Sequence, residues 1–433
     1  MASKRCFGVI SPQAYMEPAL QKLESEWVLH RIYPGSLDAG EFEGLVRECM
    51  CSGVEAVAGF AQKDAFAHIV LNAALGNVVP SQVAFMHCMN KYLMRTLEPD
   101  PFFFAPVSPL HDTDEDIIKR IPAEEWPFML KNTSLSLGRG IFRIESVEQL
   151  RRVLAVYRRD TKLQEEIARQ YAAYLEGVPR ADVPRIMPPF VAEHLVDMSR
   201  ATEYCYEGYV TPEGEIVHYG LTEEVYFSNH QALGYLTPPV SISREMAGAI
   251  EEWVERYMSE LVRLGYRNQF FNLEFWVMPD GQLHLTEINP RAAHSYHYNY
   301  AFSFGGDLYR DNLLLAAGER PAGPTPWELW REGAPHRYTL IVLITAREAG
   351  RVEEILDFDY VHSLQEQGVL VRTIRGATDL VTEEEISAAG VMLQQLWLTD
   401  DRFETLIARE REIRARIYRQ PQDAVDYPPF WRI

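Results

Sequence analysis

Residues 271–291 constrain the possible fold of this chain more than any other stretch. They read FNLEFWVMPDGQLHLTEINPR, and polar and apolar residues alternate on both sides of a Pro-Asp-Gly sequence. A period of two is typical of a β-strand whose two faces differ. Proline and glycine supply the backbone angles that a tight reversal requires. The pattern therefore predicts a β-hairpin.

This hairpin gathers hard oxygen ligands. Glu274 lies on its first arm, and Glu287 and Asn289 lie at the end of its second arm. Mg²⁺ commonly binds a few carboxylates together with substrate phosphates. Arg291, just beyond, is a planar donor fork suited to phosphate or carboxylate. We interpret the hairpin as the metal and phosphate end of an active site; a surface hairpin with solvated acids would leave the acids within apolar runs unexplained.

Composition excludes several classes of protein. The chain has 433 residues, with 62 acidic and 42 basic side chains and a net charge of −20, which argues against binding to nucleic acid or to an anionic membrane. Its five cysteines lack the paired spacing of a zinc site, so we expect reduced thiols and a cytoplasmic protein. We expect neither a signal peptide nor a membrane span, because the apolar runs are too short.

The first hundred residues predict an α/β domain. Strands expected at 6–10, 27–33 and 54–60 alternate with helices, which favours a parallel sheet with helices on its faces. Residues 81–97 predict one helix, with an apolar stripe and with Lys91 on it. The Pro- and Phe-rich residues 99–109 predict a linker.

A polar loop follows between two predicted strands. Residues 132–140 read NTSLSLGRG between strands expected at 126–131 and 141–144, and Lys131 directly precedes the loop. Such a loop can surround phosphates with backbone N–H groups, although an exposed hairpin loop remains an alternative. The sequence has neither G-x-x-x-x-G-K-[ST] nor a G-x-G-x-x-G after the first strand, so it predicts neither a P-loop enzyme nor a dinucleotide-binding domain.

The segment after Arg291 is rich in His and Tyr. His294 and His297 have a spacing that would allow zinc binding on a helix. Side chains of this kind more often line a substrate pocket or pack in a core, and we favour that interpretation.

The order of these motifs resembles the ATP-grasp superfamily. The resemblance rests on Lys91, then Lys131 with its Ser/Gly loop, then Glu193-His194-Leu195, then Glu203, then the N-x-E-F…E-I-N-P-R hairpin. It implies an α/β protein with an N-terminal parallel domain at 1–105, a small α+β lid at 106–192, a larger α+β catalytic part at 193–330 and a C-terminal domain at 331–433.

The resemblance also implies roles for individual residues. Those implied to bind ATP are Lys91, Lys131, Ser134, Ser136, Gly138, Gly140, Glu193, His194, Leu195 and Glu203. Among these, Lys131 would also lie near the adenine, Glu193 with the backbone of the next two residues would form the adenine hinge, and Glu203 would face the ribose or triphosphate. Glu274, Glu287 and Asn289 are implied as ligands of Mg²⁺, or of Mn²⁺ in its place, and Arg291 and Lys131 as catalytic residues.

The activity implied is ATP-dependent joining of a small-molecule carboxylate to an amine. The last hundred residues are similar to the C-terminal domain of amino-acid ligases, which implies an acyl phosphate intermediate and release of ADP and phosphate; a homodimer is left open. A carboxylase of the biotin-carboxylase type is the alternative, but Ala201 and Thr202 stand where that family has a histidine two residues before the glutamate. A non-catalytic nucleotide-binding protein is the third possibility.

Overall fold

The computed structural model describes residues 4–35, 39–135, 139–229, 231–386, 390–420 and 427–428. Among these residues no helix is long and apolar enough to cross a membrane. The five cysteines are all free thiols. The architecture is mixed α/β, as the sequence predicts.

The N-terminal part is a three-stranded parallel sheet covered by helices. Its strands are β1 (Cys6–Ile10), β2 (Val28–Ile32) and β3 (Ala56–Gly59), in the order β2-β1-β3. Its helices are α1 (Glu17–Leu23), α2 (Ala39–Cys51) and α3 (Ala65–Ala74). Every residue of β1 and β3 is buried, because the sheet is covered on both faces. The prediction of a parallel α/β sheet is confirmed.

Two helices follow where the sequence predicts one. They are α4 (Gln82–Met89) and α5 (Lys91–Thr96), separated by Asn90, whose backbone is extended at φ −123° and ψ 113°. The Asn90 side chain accepts hydrogen bonds from the N–H groups of Tyr92 and Leu93 and so caps the second helix. The prediction of a single helix is wrong, because this cap competes with the continuous apolar stripe. The break places Lys91 at the start of its own helix.

A four-stranded antiparallel sheet forms the next part. Its strands are β4 (Phe104–Val107), β5 (Phe128–Asn132), β6 (Ile141–Ile144) and β7 (Phe190–Glu193), in the order β4-β7-β5-β6. Its helices are α6 (Asp114–Lys119), α7 (Val147–Arg159) and α8 (Thr161–Tyr174). The linker predicted at 99–109 is wrong in part, since β4 lies within it and forms a ladder with β7.

The largest sheet has eight strands. They are β8 (Thr202–Val210), β9 (Ile216–Tyr226), β10 (Ala232–Thr237), β11 (Gln269–Val277), β12 (Leu283–Asn289), β13 (Tyr338–Ala346), β15 (Leu370–Thr373) and β17 (Val391–Asp400), while β14 (Gly350–Arg351) and β16 (Leu380–Val381) form a separate ribbon. The order is β12-β11-β8-β9-β10-β13-β17-β15. Three strands after residue 330, β13, β15 and β17, therefore continue the sheet that carries the hairpin.

Helices cover this large sheet. They are α9 (Arg244–Arg263), α10 (Tyr296–Phe304), α11 (Leu308–Ala316), α12 (Pro326–Glu332), α13 (Val352–Ile355), α14 (Phe358–Glu366) and α15 (Phe403–Ile417). One apolar core joins the N-terminal sheet to α10 and α11 through residues such as Phe7, Tyr300 and Tyr309. This core brings the segment after Arg291 against the N-terminal part.

Candidate active site

The predicted hairpin forms, and it brings its carboxylates together. Glu274 lies directly opposite Glu287 in the β11–β12 ladder, and Asn272 lies opposite Asn289. The Asn289 amide nitrogen donates to Glu274 Oε1 at 3.2 Å, to Glu287 Oε1 at 3.4 Å and to Asn272 Oδ1 at 3.1 Å. These donations leave the amide oxygen of Asn289 as its atom for a metal ion.

The electrostatics of this group favour a cation. Burial, together with the charges of the neighbouring Glu287 and Glu203, raises the pKa of Glu274 to about 8. Carboxylates held this close disfavour their own ionised forms, and a bound cation relieves the repulsion. Two carboxylates and an amide oxygen are a hard-oxygen set that fits Mg²⁺.

Lys91 approaches the hairpin from the start of α5. Its Nζ lies 3.5 Å from Glu287 Oε2 and donates to the Leu135 carbonyl oxygen at 2.7 Å. A cavity of about 210 Å³ opens beside it, lined in part by Ser134, Glu287 and Asn289. The structure thus brings a lysine, the start of the polar loop and two of the predicted metal ligands to one cavity.

The loop after β5 is anchored at both ends. The Asn132 side chain accepts from the Ser134 and Leu135 N–H groups, and the Asn132 N–H donates to the Gly140 carbonyl at 2.8 Å. Gly140 has φ +69°, and a Cβ there would lie 2.7 Å from Asn132 Cβ, so the loop requires glycine at this position. Ser136 and Gly138, which the sequence predicts as phosphate-binding residues, lie outside the described residues.

Glu193 sits in a buried charge network rather than in open space. Arg95 donates to both of its carboxylate oxygens, at 3.1 and 2.9 Å, and Lys131 Nζ lies 2.8 Å from Oε2. Arg95 also bonds Glu98, whose other oxygen accepts from the Leu285 N–H at 2.7 Å. Burial alone would raise the pKa of Glu193, but Arg95 and Lys131 outweigh it and hold the pKa well below its ordinary value. The Glu193 carboxylate therefore positions Lys131.

The predicted hinge continues from β7. The His194 N–H donates to the Phe103 carbonyl at 3.0 Å, and its imidazole Nδ1 pairs with Glu125 at 2.9 Å. The ring stacks on Phe102 with centroids 5.3 Å apart. The His194 N–H is thus used within the protein. Leu195 follows directly on the chain and is half-buried.

Glu203 lies on β8, on the hairpin side of the large sheet. It accepts hydrogen bonds from the Tyr226 hydroxyl and from Thr286 Oγ1, the latter at 2.9 Å. Its cross-strand neighbour is Glu224, which the sequence did not single out. Burial raises the pKa of both carboxyls, and in Glu224 the charges of Glu203 and Glu274 add to it. The acidic cluster therefore contains more carboxylates than the two that the sequence predicts as metal ligands.

Arg291 follows the hairpin directly. Its N–H donates to the Asn289 carbonyl at 2.8 Å, and its buried Nε has no hydrogen-bond partner among the described residues. Glu207, which is fully buried, has one unpartnered oxygen as well. Burial raises the pKa of Glu207, and Arg291 partly offsets that rise. The Arg291 guanidinium therefore lies beside the acidic cluster, and its Nε–H donor is available to a ligand.

The two histidines after Arg291 have separate environments. His294 Nδ1 is hydrogen bonded to the Tyr15 hydroxyl, whereas His297 stacks on Tyr309 with centroids 3.9 Å apart. Among the described residues no group of three candidate metal ligands includes either histidine. Zinc binding by this pair gains no support, and His294 lies instead where the N-terminal part meets the segment after Arg291.

Comparison with protein families agrees with this geometry. Residues 124–297 match the family described as the ATP-grasp domain, a range that runs from just before β5 to the start of α10.

The chain has an ATP-grasp fold. No curated protein sequence matches the chain.

Solved structures share the ATP-grasp fold along almost the whole chain. The L-amino acid ligase from Bacillus licheniformis has a TM-score of 0.69 at 15% identity, covering 99% of this chain and 100% of that one. The N5-carboxyaminoimidazole synthase from Aspergillus clavatus has a TM-score of 0.64 at 15% identity, covering 95% and 99%. The biotin carboxylase domain of the Hydrogenobacter thermophilus 2-oxoglutarate carboxylase, in complex with MgADP and bicarbonate, has a TM-score of 0.62 at 15% identity, covering 97% and 90%.

Sequence reasoning missed several residues of the ATP-grasp domain and its surroundings. Arg95 pairs with both Glu193 and Glu98, and Glu224 and Glu207 extend the acidic cluster. Arg95 and Glu98 did carry a signal, because they are charged residues three apart beside an apolar helical stripe. Glu224 and Glu207 carried none, since only strand pairing brings them to the site.

Proposed function

We propose that the chain joins a small-molecule carboxylate to an amine, using ATP and an acyl phosphate intermediate, and releases ADP and phosphate. The observation that carries this proposal is the convergence of Glu274, Glu287 and Asn289, with Arg291 directly beyond them. A cluster of oxygens suited to a cation, next to an arginine with an unpartnered Nε among the described residues, would favour a reaction between two anions.

The nucleotide would lie between the four-stranded lid sheet and the hairpin. Lys91 and Lys131 would bind phosphates, together with the loop that contains Ser134, Ser136, Gly138 and Gly140. Glu193 would act through Lys131, and the backbone after it would contact the adenine. The His194 N–H already donates to the Phe103 carbonyl. The carbonyl oxygen of His194 and the backbone of Leu195 would therefore be the groups that contact the adenine base.

The first chemical step transfers the terminal phosphoryl group. A carboxylate oxygen attacks the terminal phosphorus, an O–P bond forms, and the bond to ADP breaks. Glu274, Glu287 and Asn289 would hold Mg²⁺, or Mn²⁺ in its place, which supplies neutralisation of the phosphate charge when bound. Arg291 donates to the reacting oxygens, where negative charge accumulates.

The second step forms the amide. The amine nitrogen attacks the acyl carbon, a C–N bond forms, and the C–O bond to phosphate breaks as phosphate leaves with the electron pair. The nitrogen proton passes to phosphate or water. An acyl phosphate hydrolyses readily, so the loop after β5 would close over it and exclude water.

The division into 1–105, 106–192, 193–330 and 331–433 is part of this proposal. The lid residues would cover the nucleotide, and the last hundred residues would shape the end of the site that faces the second substrate. A homodimer is compatible with the proposal. Similarity to a protein named L-amino acid ligase supports the choice of amide formation.

A biotin-carboxylase-like reaction is the second candidate. It is favoured by the similarity to a carboxylase domain in complex with MgADP and bicarbonate. Ala201 and Thr202 argue against it, as does the Asn-Pro-Arg-Ala-Ala-His sequence that follows the hairpin. This candidate predicts bicarbonate-dependent ATP turnover without an amine.

Hydroxylamine provides a test that does not require the natural amine. Full-length protein with Mg²⁺ and ATP is incubated with hydroxylamine and a panel of carboxylates, and hydroxamates and nucleotides are measured. We expect one class of carboxylate to give hydroxamate and ADP in equal amounts. AMP as the main product, or turnover that requires bicarbonate alone, would contradict the proposal.

A further inference from the structure

Arg372 on β15 is a cation without an acidic partner in the part of the chain that the structure describes. Its Nη1 donates to the neutral Gln395 side chain at 2.8 Å, and its guanidinium lies 5.1 Å from the centre of the Tyr15 ring. It forms no salt bridge with any described residue. The chain has 62 acidic residues against 42 lysines and arginines, yet no described carboxylate pairs with this half-buried guanidinium. A fork of this kind is suited to bidentate binding of a carboxylate.

Arg372 lies near the proposed reaction site, although it is far from it in sequence. The Tyr15 ring stacks on Trp397, with centroids 5.4 Å apart, and its hydroxyl is hydrogen bonded to His294. His294 follows Arg291 by three residues. Arg372 and Arg291 both help burial to lower the pKa of His294, which agrees with their lying around the same Tyr15–His294 pair.

The two arginines would serve different groups. Arg291 directly follows the predicted metal ligands, so it faces the carboxylate that receives the phosphoryl group. Arg372 comes from the opposite edge of the eight-stranded sheet, where β15 is the last strand. From that edge its guanidinium reaches the Tyr15 ring. An anion bound there would not be the reacting one.

We propose that Arg372 binds a second carboxylate of the substrate pair, one that takes no part in bond formation, and thereby selects substrates that carry it. This inference rests on the proposed ligase function. The second carboxylate can belong to the amine, as in an amino acid, or to the acid, as in a dicarboxylic acid. Both sources present the same chemistry to Arg372, and they are separated by experiment.

The first arm of the test measures which carboxylic acids the protein prefers as substrates. Hydroxylamine replaces the amine: its nitrogen forms the C–N bond, phosphate leaves with the electron pair, and a proton passes to water. Monocarboxylates and dicarboxylates of equal chain length are compared in the wild-type chain, Arg372→Gln and Arg372→Lys. The second arm fixes the best acid and compares each of the twenty amino acids, as the amine, with its amide.

Arg375→Gln is the matched control. Arg375 lies three residues further on, and its guanidinium pairs with Glu385 at 2.6 Å, so its loss should leave both arms unchanged. Hydroxamate formation from a monocarboxylate also reports that Arg372→Gln is folded and active, because that reaction contains no second carboxylate.

We expect a preference for the extra carboxylate in one of the two arms. The preference should be about 10- to 100-fold in kcat/KM, as expected for one charge-assisted contact. It should be lost in Arg372→Gln and only partly kept in Arg372→Lys. The inference is overturned if neither arm shows a preference, or if the preference survives in Arg372→Gln. If the wild-type chain forms no hydroxamate from any carboxylate, the proposed function itself fails, which is a distinct result.

Discussion

Lys131 lies 2.8 Å from the carboxylate of Glu193, across two neighbouring strands of the four-stranded sheet. Arg95, on α5, donates hydrogen bonds to both oxygens of the same carboxylate. One buried acid thus joins the four-stranded sheet, the helix after Asn90 and a lysine that we assign to ATP. The carboxylate fixes the direction of Lys131, so Glu193 is a positioning residue.

Glu193→Gln should strongly destabilise the protein. It leaves Lys131 without its anion and leaves Arg95 with Glu98 as its remaining partner, and breaking a buried pair in this way costs about 3–5 kcal/mol in the free energy of unfolding. Urea unfolding measures the change. Glu213→Gln, at an exposed turn, is the matched control and should be neutral. Equal stability of the two variants would mean that the network contributes nothing.

The same carboxylate predicts a pH dependence. Burial acts against its ionisation, but Arg95 and Lys131 prevail and lower the pKa of Glu193 from 4.5. A carboxyl with a lower pKa in the folded state stabilises the fold above its unfolded pKa, and this stability is lost as pH falls through the folded pKa. The unfolding free energy of the wild-type chain should therefore fall below about pH 4.5 more steeply than that of Glu193→Gln. Parallel curves would contradict the assignment.

Removal of the predicted metal ligands should nearly abolish turnover. Glu287→Gln and Asn289→Ala each remove an oxygen that we assign to Mg²⁺, while neither adds bulk at the end of β12, so the fold should persist. ADP release across a range of Mg²⁺ concentrations, together with the melting temperature, tests this. Glu412→Gln, at a carboxylate 66% exposed on α15, is the control. Wild-type rates with unchanged metal dependence would show that the site lies elsewhere.

Arg291 should act in the chemical step more than in ATP binding. A fixed donor aimed at developing charge is worth about 10²–10³-fold in kcat, so Arg291→Ala should lose about that much with ATP affinity little changed. Arg291→Lys keeps the charge but not the fork, and should rescue only in part. Direct ATP binding and saturated turnover are measured separately, with the exposed Arg263→Ala as control. Lost binding with preserved kcat would make Arg291 a nucleotide anchor.

The parts of the molecule that the sequence predicts are those encoded by local patterns. The hairpin follows from its own alternation and turn, and the parallel sheet follows from strands that alternate with helices. The helix break at Asn90 is also encoded locally, by a capping asparagine. The apolar stripe continues across it, however, and a continuous stripe is typical of a single helix. The strand β4 was missed because the prolines and phenylalanines around it are typical of a linker.

The rest of the site depends on contacts between distant residues. Arg95 and Glu193 are 98 residues apart, and Glu98 meets the Leu285 N–H across 187 residues. Tyr15 and His294 are 279 residues apart. No periodicity or spacing in one sequence records such pairs, so the charge network and the surroundings of Arg372 required the structure.

Oxygen transfer tests the central claim most directly. The carboxylate that gives hydroxamate is prepared with oxygen-18 in its carboxyl group, and the phosphate released in a full reaction is examined by mass spectrometry. Since the carboxylate oxygen attacks phosphorus and later leaves with it, the account predicts one labelled oxygen in phosphate, with ADP as the other product. Unlabelled phosphate, or label in AMP, would contradict the acyl phosphate mechanism.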